Sequence, residues 1–170
     1  MARHRALTQI NIFTDGSRKD EQTGAGFVIY DNARQELARG SLRLPDHATV
    51  FQAEVVAISA AIQALQELCL PSIRYVKFFV DSQAALRAVA NPVISSVIVG
   101  NAVDALNILS GVANRVSLSW IPSHRAFFGN TLADDLAKTG TTTSGPPYPV
   151  GKSTASVSYT HLTLPTTPYV

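Results

Sequence analysis

Charge is scarce in this sequence. Of 170 residues only 15% are charged, 14 basic against 12 acidic, where globular chains usually carry about 25%. A disordered or polybasic protein is thereby excluded. Cysteine is limited to Cys69, which rules out an internal disulfide or a cysteine metal cluster and fits a reducing compartment. Long apolar runs are missing too: the longest, around residues 93–99, is broken by Pro92, Ser95, Ser96 and Gly100, well short of the ~20 residues a membrane span needs. The opening MARHRALTQINIF holds basic residues but no apolar stretch, so no signal peptide is expected. What remains is a 46% hydrophobic chain long enough for one domain with its own core.

Periodicity fails toward the end. From Thr139 onward the only charged side chain is Lys152, while the stretch holds nine threonines and five of the nine prolines. Such a segment has no apolar face to bury. Within it, residues 157–166, VSYTHLTLPT, match the in-frame translation of a transposase-based sequencing adapter; an ordinary Thr/Pro-rich tail is the alternative. The expected organisation is therefore an N-terminal extension (1–8), a folded domain (9–140), a Thr/Pro/Gly-rich linker (141–156) and a foreign, disordered end (157–170).

Within the domain, INIFT at 10–14 is a short apolar run followed by Asp15-Gly16-Ser17, which reads as a turn. GAGFVIY at 24–30 is a second strand, and residues 36–43 alternate well enough for a third, giving an antiparallel meander. Phe51, Val55, Ile58, Ile62 and Leu65 then recur at helical spacing, with Pro71 as the stop. IRYVKFFV at 73–80 is a fourth strand, and Ser82 can cap a helix that ends at Asn91-Pro92. A third helical pattern lies within 97–109, a fifth strand at 115–121, and Asn130 is a favourable N-cap for a last helix carrying TLADDLAK. The order βββαβαβα predicts a mixed sheet with helices on its faces.

Four carboxylates stand in unusual places. Asp15 and Asp81 each end an apolar run; beyond the carboxyl ends of adjacent parallel strands they would face each other across a ligand crevice, although Asp also ends strands as a turn former. Glu54 falls on the apolar stripe of its helix, where a charge costs several kcal/mol unless it is paired or bound to a metal. Asp134 or Asp135 opens the last helix, where the helix dipole alone would favour either. Carboxylates converging without basic partners form a hard oxygen site for Mg²⁺ or Mn²⁺. Two such ions about 3.5–4 Å apart are the nuclease arrangement for phosphodiester hydrolysis. His124, in the loop SHRAFFGN, could shuttle a proton or help product leave, or could simply be a solvated loop histidine.

These blocks together resemble ribonuclease H type 1, most closely the RNase H domain of non-LTR retrotransposon polyproteins. The resemblance rests on FTDGS at 13–17 with GAGFVIY after it, FQAEVVAI at 51–58, VDSQAAL at 80–86, and WIPSH with GNTLADDLAK at 120–138. It implies an α/β, RNase H-like fold: a five-stranded mixed sheet, three antiparallel strands then two parallel, flanked by helices. It implies an endoribonuclease that hydrolyses the RNA strand of RNA/DNA hybrids with two Mg²⁺ (or Mn²⁺) ions. Carried over by position, the metal ligands are Asp15, Glu54, Asp81 and Asp134, chosen over Asp135 because it follows the alanine of GN-x-x-AD. His124 is the mobile-loop histidine, Gly16 and Ser17 approach the substrate strand, and Gln52 is a minor-groove candidate. Contacts to the 2′-hydroxyl would set hybrid specificity.

The sequence makes three departures from the family pattern: Ala126 and Phe128 replace a usual glycine and proline after His124, Thr131 replaces a glutamate, and Val50-Phe51 stand where cellular enzymes have amides. Between Asn91 and Asn114 there is no Lys or Arg, where cellular enzymes often carry a basic handle. Phosphate contacts dominate nucleic-acid affinity, so weak hybrid binding and an adjoining reverse transcriptase domain are expected, in a cytoplasmic or nuclear setting and without a membrane partner. The competing readings are a decayed or purely hybrid-binding domain, a stand-alone cellular RNase H, and a 3′ to 5′ exonuclease on a related fold.

Overall fold

The computed structural model describes residues 7–94, 96–123 and 127–150. Its elements are β1 (Leu7–Lys19), β2 (Gln22–Asp31), β3 (Glu36–Leu44), α1 (Val50–Glu67), β4 (Ile73–Val80), α2 (Gln83–Ala90), α3 (Val97–Val112), β5 (Arg115–Trp120) and α4 (Asn130–Thr142). The third helical pattern expected within 97–109 is present, although the expected order βββαβαβα does not count it. Residues 97–112 form a helix in their own right between α2 and β5, so the order is βββαβααβα. The five strands make one sheet, β3-β2-β1-β4-β5, antiparallel from β1 to β3 and parallel from β1 through β4 to β5.

The Asp15-Gly16-Ser17 triplet is not a turn. β1 continues through it, pairing Asp15 with Gly26 and Gly16 with Ala25, and reverses only at Asp20 and Glu21. Both of those residues have positive φ, 49° and 63°, the backbone that a two-residue hairpin needs. Ladder pairing with β2 here overrides the local turn preference. At the far end of β2 the chain does turn on a side chain: Asp31 Oδ1 accepts from the Ala33 and Gln35 amides at 2.8 Å.

α1 begins at a capping box. Thr49 Oγ1 accepts from the Gln52 amide at 3.1 Å while Gln52 Oε1 accepts from the Thr49 amide at 2.9 Å, which satisfies two donors the helix would otherwise leave open. Its apolar stripe, with Val55, Ile58, Ile62 and Leu65, is buried against Ile10, Ile12 and Phe78 of the sheet and against α3. A second, smaller cluster lies under α4 and holds Phe13, Val28, Tyr30, Ile121 and Ala133.

α4 rests unusually close to the sheet. A Cβ on Gly26 would meet the Ala133 carbonyl and the Ala137 amide at 2.4 Å, and Gly24 is similarly overlaid by Ala137 and Thr141. The glycines of GAGFVIY thus let a helix backbone approach strand backbone. Asn130 is not the N-cap of this helix. Gly129, at φ 90°, takes that position without a side-chain bond; the left-handed glycine starts the helix one residue earlier, and Asn130 becomes a buried first-turn residue. α4 ends at Thr142, after which the chain returns along β3: the Tyr148 amide donates to the Arg43 carbonyl at 2.7 Å, and Val150 is buried. Residues 1–6 and 151–170, including the adapter-like segment, lie outside the described residues. Among the described residues no helix is long and apolar enough to cross a membrane.

Candidate metal centre

Strand register positions the first two acids. The parallel ladder between β1 and β4 closes at the pair Thr14 and Val80, so Asp15 and Asp81 are the next residues on adjacent strands, at their shared carboxyl-terminal edge. Asp81 leaves the sheet there, whereas Asp15 stays within β1. Glu54 comes from α1, whose first turns lie directly over Gly16: a Cβ there would sit 2.8 Å from the Glu54 amide nitrogen. The three side chains offer carboxylate oxygens that all lie within 4.8 Å of one another.

Burial and mutual repulsion decide the state of this trio. Asp15 is 7% and Glu54 6% exposed, and among the described residues neither has a Lys or Arg at ion-pair distance. Desolvation first, then the charges of Asp81 and Asp134, push Asp15 up from 3.8 to about 7 against the opposing hydrogen bond from the Gly16 amide. Desolvation, followed by Asp15 and Asp81, pushes Glu54 from 4.5 to about 9. Glu54 Oε2 is buried without a hydrogen-bond partner among the described residues. Three crowded oxygen donors, with Asp15 and Glu54 pushed toward their protonated forms for want of positive charge, fit a hard divalent cation such as Mg²⁺ or Mn²⁺, which would favour the ionised forms.

Two residues that fix Asp81 were not singled out from sequence. The Ser123 hydroxyl donates to Asp81 Oδ2 at 3.1 Å, and the Trp120 indole N–H donates to the Asp81 carbonyl at 3.1 Å. Both belong to the WIPSH block, and nothing local in the sequence ties that block to residue 81. The link exists because β5 pairs with β4 up to Trp120 opposite Val80.

Asp134 stands outside the 4.8 Å group. It lies on the first turns of α4, is bonded to Lys138 one turn later, and acts on Asp15 through its charge. The i,i+4 spacing of Asp134 and Lys138 was a readable signal for that pair. His124 and Ala126 lie outside the described residues. Phe128, just beyond them, packs on Tyr30 with ring centroids 4.6 Å apart, and the Arg34 guanidinium lies 4.9 Å over its ring. Thr131 is exposed on α4. Ser17 is half-buried in β1 opposite Gly24. Gln52 has its backbone amide and side chain in the α1 cap.

A family model described as RNase H matches residues 7–142. A comparison with curated proteins finds no match. Among solved structures, the chain is similar to the RNase H1 of the halophilic archaeon Halobacterium salinarum, at 21% identity and a TM-score of 0.62, over 78% of this chain and 96% of that one. It is also similar to the N-terminal RNase H domain of a Mycobacterium tuberculosis protein, solved as a fusion with maltose-binding protein, at 22% identity and a TM-score of 0.65, over 79% and 99%.

Proposed function

Because this chain belongs to the RNase H family and is a ribonuclease H acting on RNA/DNA hybrids, we propose that it cuts the RNA strand by a two-metal-ion reaction within a retroelement. The observation that carries the catalytic part is the trio of Asp15, Glu54 and Asp81, with carboxylate oxygens within 4.8 Å and Glu54 Oε2 buried without a partner. Asp15, Glu54 and Asp81 would hold the ions, with Asp134 completing the set once it leaves Lys138. When bound, such ions activate a water and stabilise the leaving oxygen of a phosphodiester.

The remaining steps belong to the chain itself. The Gly16 amide holds Asp15 Oδ1 at 2.8 Å and Ser123 holds Asp81 Oδ2, so two ligands are oriented before a cation arrives. Gly16 and Ser17 present strand backbone beside the acids, Gln52 lies on the same end of α1, and His124 serves as the proton carrier that helps product leave. The domain that does this is residues 9–140 continued by the end of α4 at Thr142 and the packed stretch to Val150, with the rest of 141–156 as its link to a neighbour and 157–170 as foreign sequence.

The retroelement reading is supported by FQAE at 51–54 and by the absence of Lys and Arg from residues 91–114. In place of a basic handle, α3 and the segment before it expose Val93, Val97, Ile108 and Val112. A reverse transcriptase domain of the same polyprotein would then supply the grip on the hybrid, in the cytoplasm or nucleus. The test is cleavage of a hybrid labelled on its RNA strand, with Mg²⁺ or Mn²⁺, by the full chain. RNA cutting that leaves duplex DNA intact is expected. Hybrid binding without cutting in either metal would overturn catalysis and leave the binding-module reading.

A further inference from the structure

The proposed site uses one edge of the sheet and leaves part of one face unexplained. α4 packs on β1, β2 and β3, and no described helix packs across the same face of β4 and β5. On that face the strand alternation presents Tyr75, Lys77 and Phe79 of β4, flanked by Asn11 of β1 and by Arg115 and Ser117 of β5. The intervening Val76, Phe78, Val116 and Leu118 are buried on the opposite side.

Register arranges these side chains in rows. Tyr75 pairs with Arg115, and Lys77 lies between Asn11 and Ser117. Tyr75 is 48% exposed. The Lys77 ammonium stands 5.0 Å over the Phe79 ring, which is itself stacked on Phe13 at 4.7 Å with 12° between planes. On this face the only carboxylate that β1, β4 and β5 carry among the described residues is Asp15, at the metal-site end of the strip; none stands in the rows of Tyr75 and Lys77. Successive rows are about 7 Å apart, and the strip runs along β4 for roughly 20 Å to Asp81.

We propose that this face is a platform for single-stranded RNA, namely the unpaired part of the RNA strand that extends beyond the hybrid. The proposal rests on the hybrid-ribonuclease reading above. An exposed ring beside two cations and no acid is the pairing of base stacking with phosphate attraction that single-strand binders use. The hydroxyl and amide of Ser117 and Asn11 suit a 2′-hydroxyl. A protein partner is disfavoured because lysine is depleted at protein interfaces.

The test uses the full chain in EDTA with a labelled oligouridine of about a dozen nucleotides, followed by fluorescence anisotropy. Tyr75→Ala should weaken binding about tenfold and Tyr75→Phe should restore it. Lys77→Ala with Arg115→Ala should flatten the log–log salt dependence by about 1.4. With metal, Tyr75→Ala should raise KM for a hybrid with an RNA overhang, leave kcat unchanged, and leave a blunt hybrid unaffected. Oligouridine binding that ignores Tyr75→Ala, equal affinity for the matching DNA, or no RNA binding with capture of a protein instead would each overturn the proposal. Because the anisotropy is read without metal, a chain that binds RNA through Tyr75 but cuts no hybrid refutes the catalytic reading alone.

Discussion

Asp134 and the trio of Asp15, Glu54 and Asp81 are the same functional group in two environments. On α4, Asp134 is partly exposed and neutralised by Lys138 one helical turn away. Across the sheet edge, Asp15 and Glu54 are almost fully buried, face other carboxylates, and hold their protons to about pH 7 and about pH 9. The difference is one of compensation. A solvated acid finds a partner on its own helix at little cost. Buried acids with no cation carry a standing penalty that a metal ion can remove.

The largest effect should come from removing the buried charges. Asp15→Asn and Glu54→Gln are expected to abolish hybrid cleavage, with unchanged circular dichroism. Glu54→Gln should also raise the metal-free melting temperature, because it removes the most strongly destabilised carboxylate. A melting temperature that falls would show that Glu54 has a protein partner and is not awaiting a cation.

Next in size is the pH dependence of stability without metal. Both acids have folded-state pKa values raised above the unfolded ones near 4. Their stabilising, protonated forms are fully present below pH 4 and are lost as pH rises toward about 7 for Asp15 and about 9 for Glu54. Each proton released in that window lowers stability by at most about 1.4 kcal/mol per pH unit. Urea melts in EDTA between pH 5 and 9 should show this fall, and Mg²⁺ or Mn²⁺ should reverse most of it at pH 8. A metal-free stability that rises with pH would refute the repulsion argument.

A smaller, mainly structural effect is expected at Gly26. Gly26→Ala forces a methyl into the α4 backbone and should cost about 1–3 kcal/mol while shifting Asp134 relative to the trio. Activity should therefore drop more at low metal concentration than at high. Smallest of all is Lys138→Ala, which frees an exposed acid. The melting temperature should stay unchanged and the metal concentration for half-maximal cleavage should fall slightly; a large loss of activity would instead place Lys138 on the substrate.

Much of the site could be read locally. Asp15 and Asp81 announced themselves by ending apolar runs, and Glu54 by interrupting a helical stripe. The turn proposed at Asp15-Gly16-Ser17 failed because a local preference was weighed without the partner strand: ladder bonds to Gly24, Ala25 and Gly26 outweigh it. The cap proposed at Asn130 failed for a related reason, since Gly129 supplies a left-handed residue one step earlier. The hydrogen bonds of Ser123 and Trp120 to Asp81 span strands and left no local trace.

Periodicity, being a property of neighbours along the chain, determined by itself which segments became strands and helices, which faces were apolar, and which acids were out of place. Convergence is a property of register and close approach. Only the tertiary structure decided that β1 and β4 end their ladder at Thr14 and Val80, that α1 settles onto Gly16, and that three distant carboxylates come within 4.8 Å. It also decided that Asp134, alike in sequence, stands apart with Lys138. Those outcomes depend on contacts between residues far apart in the chain, whose energies no window of sequence contains.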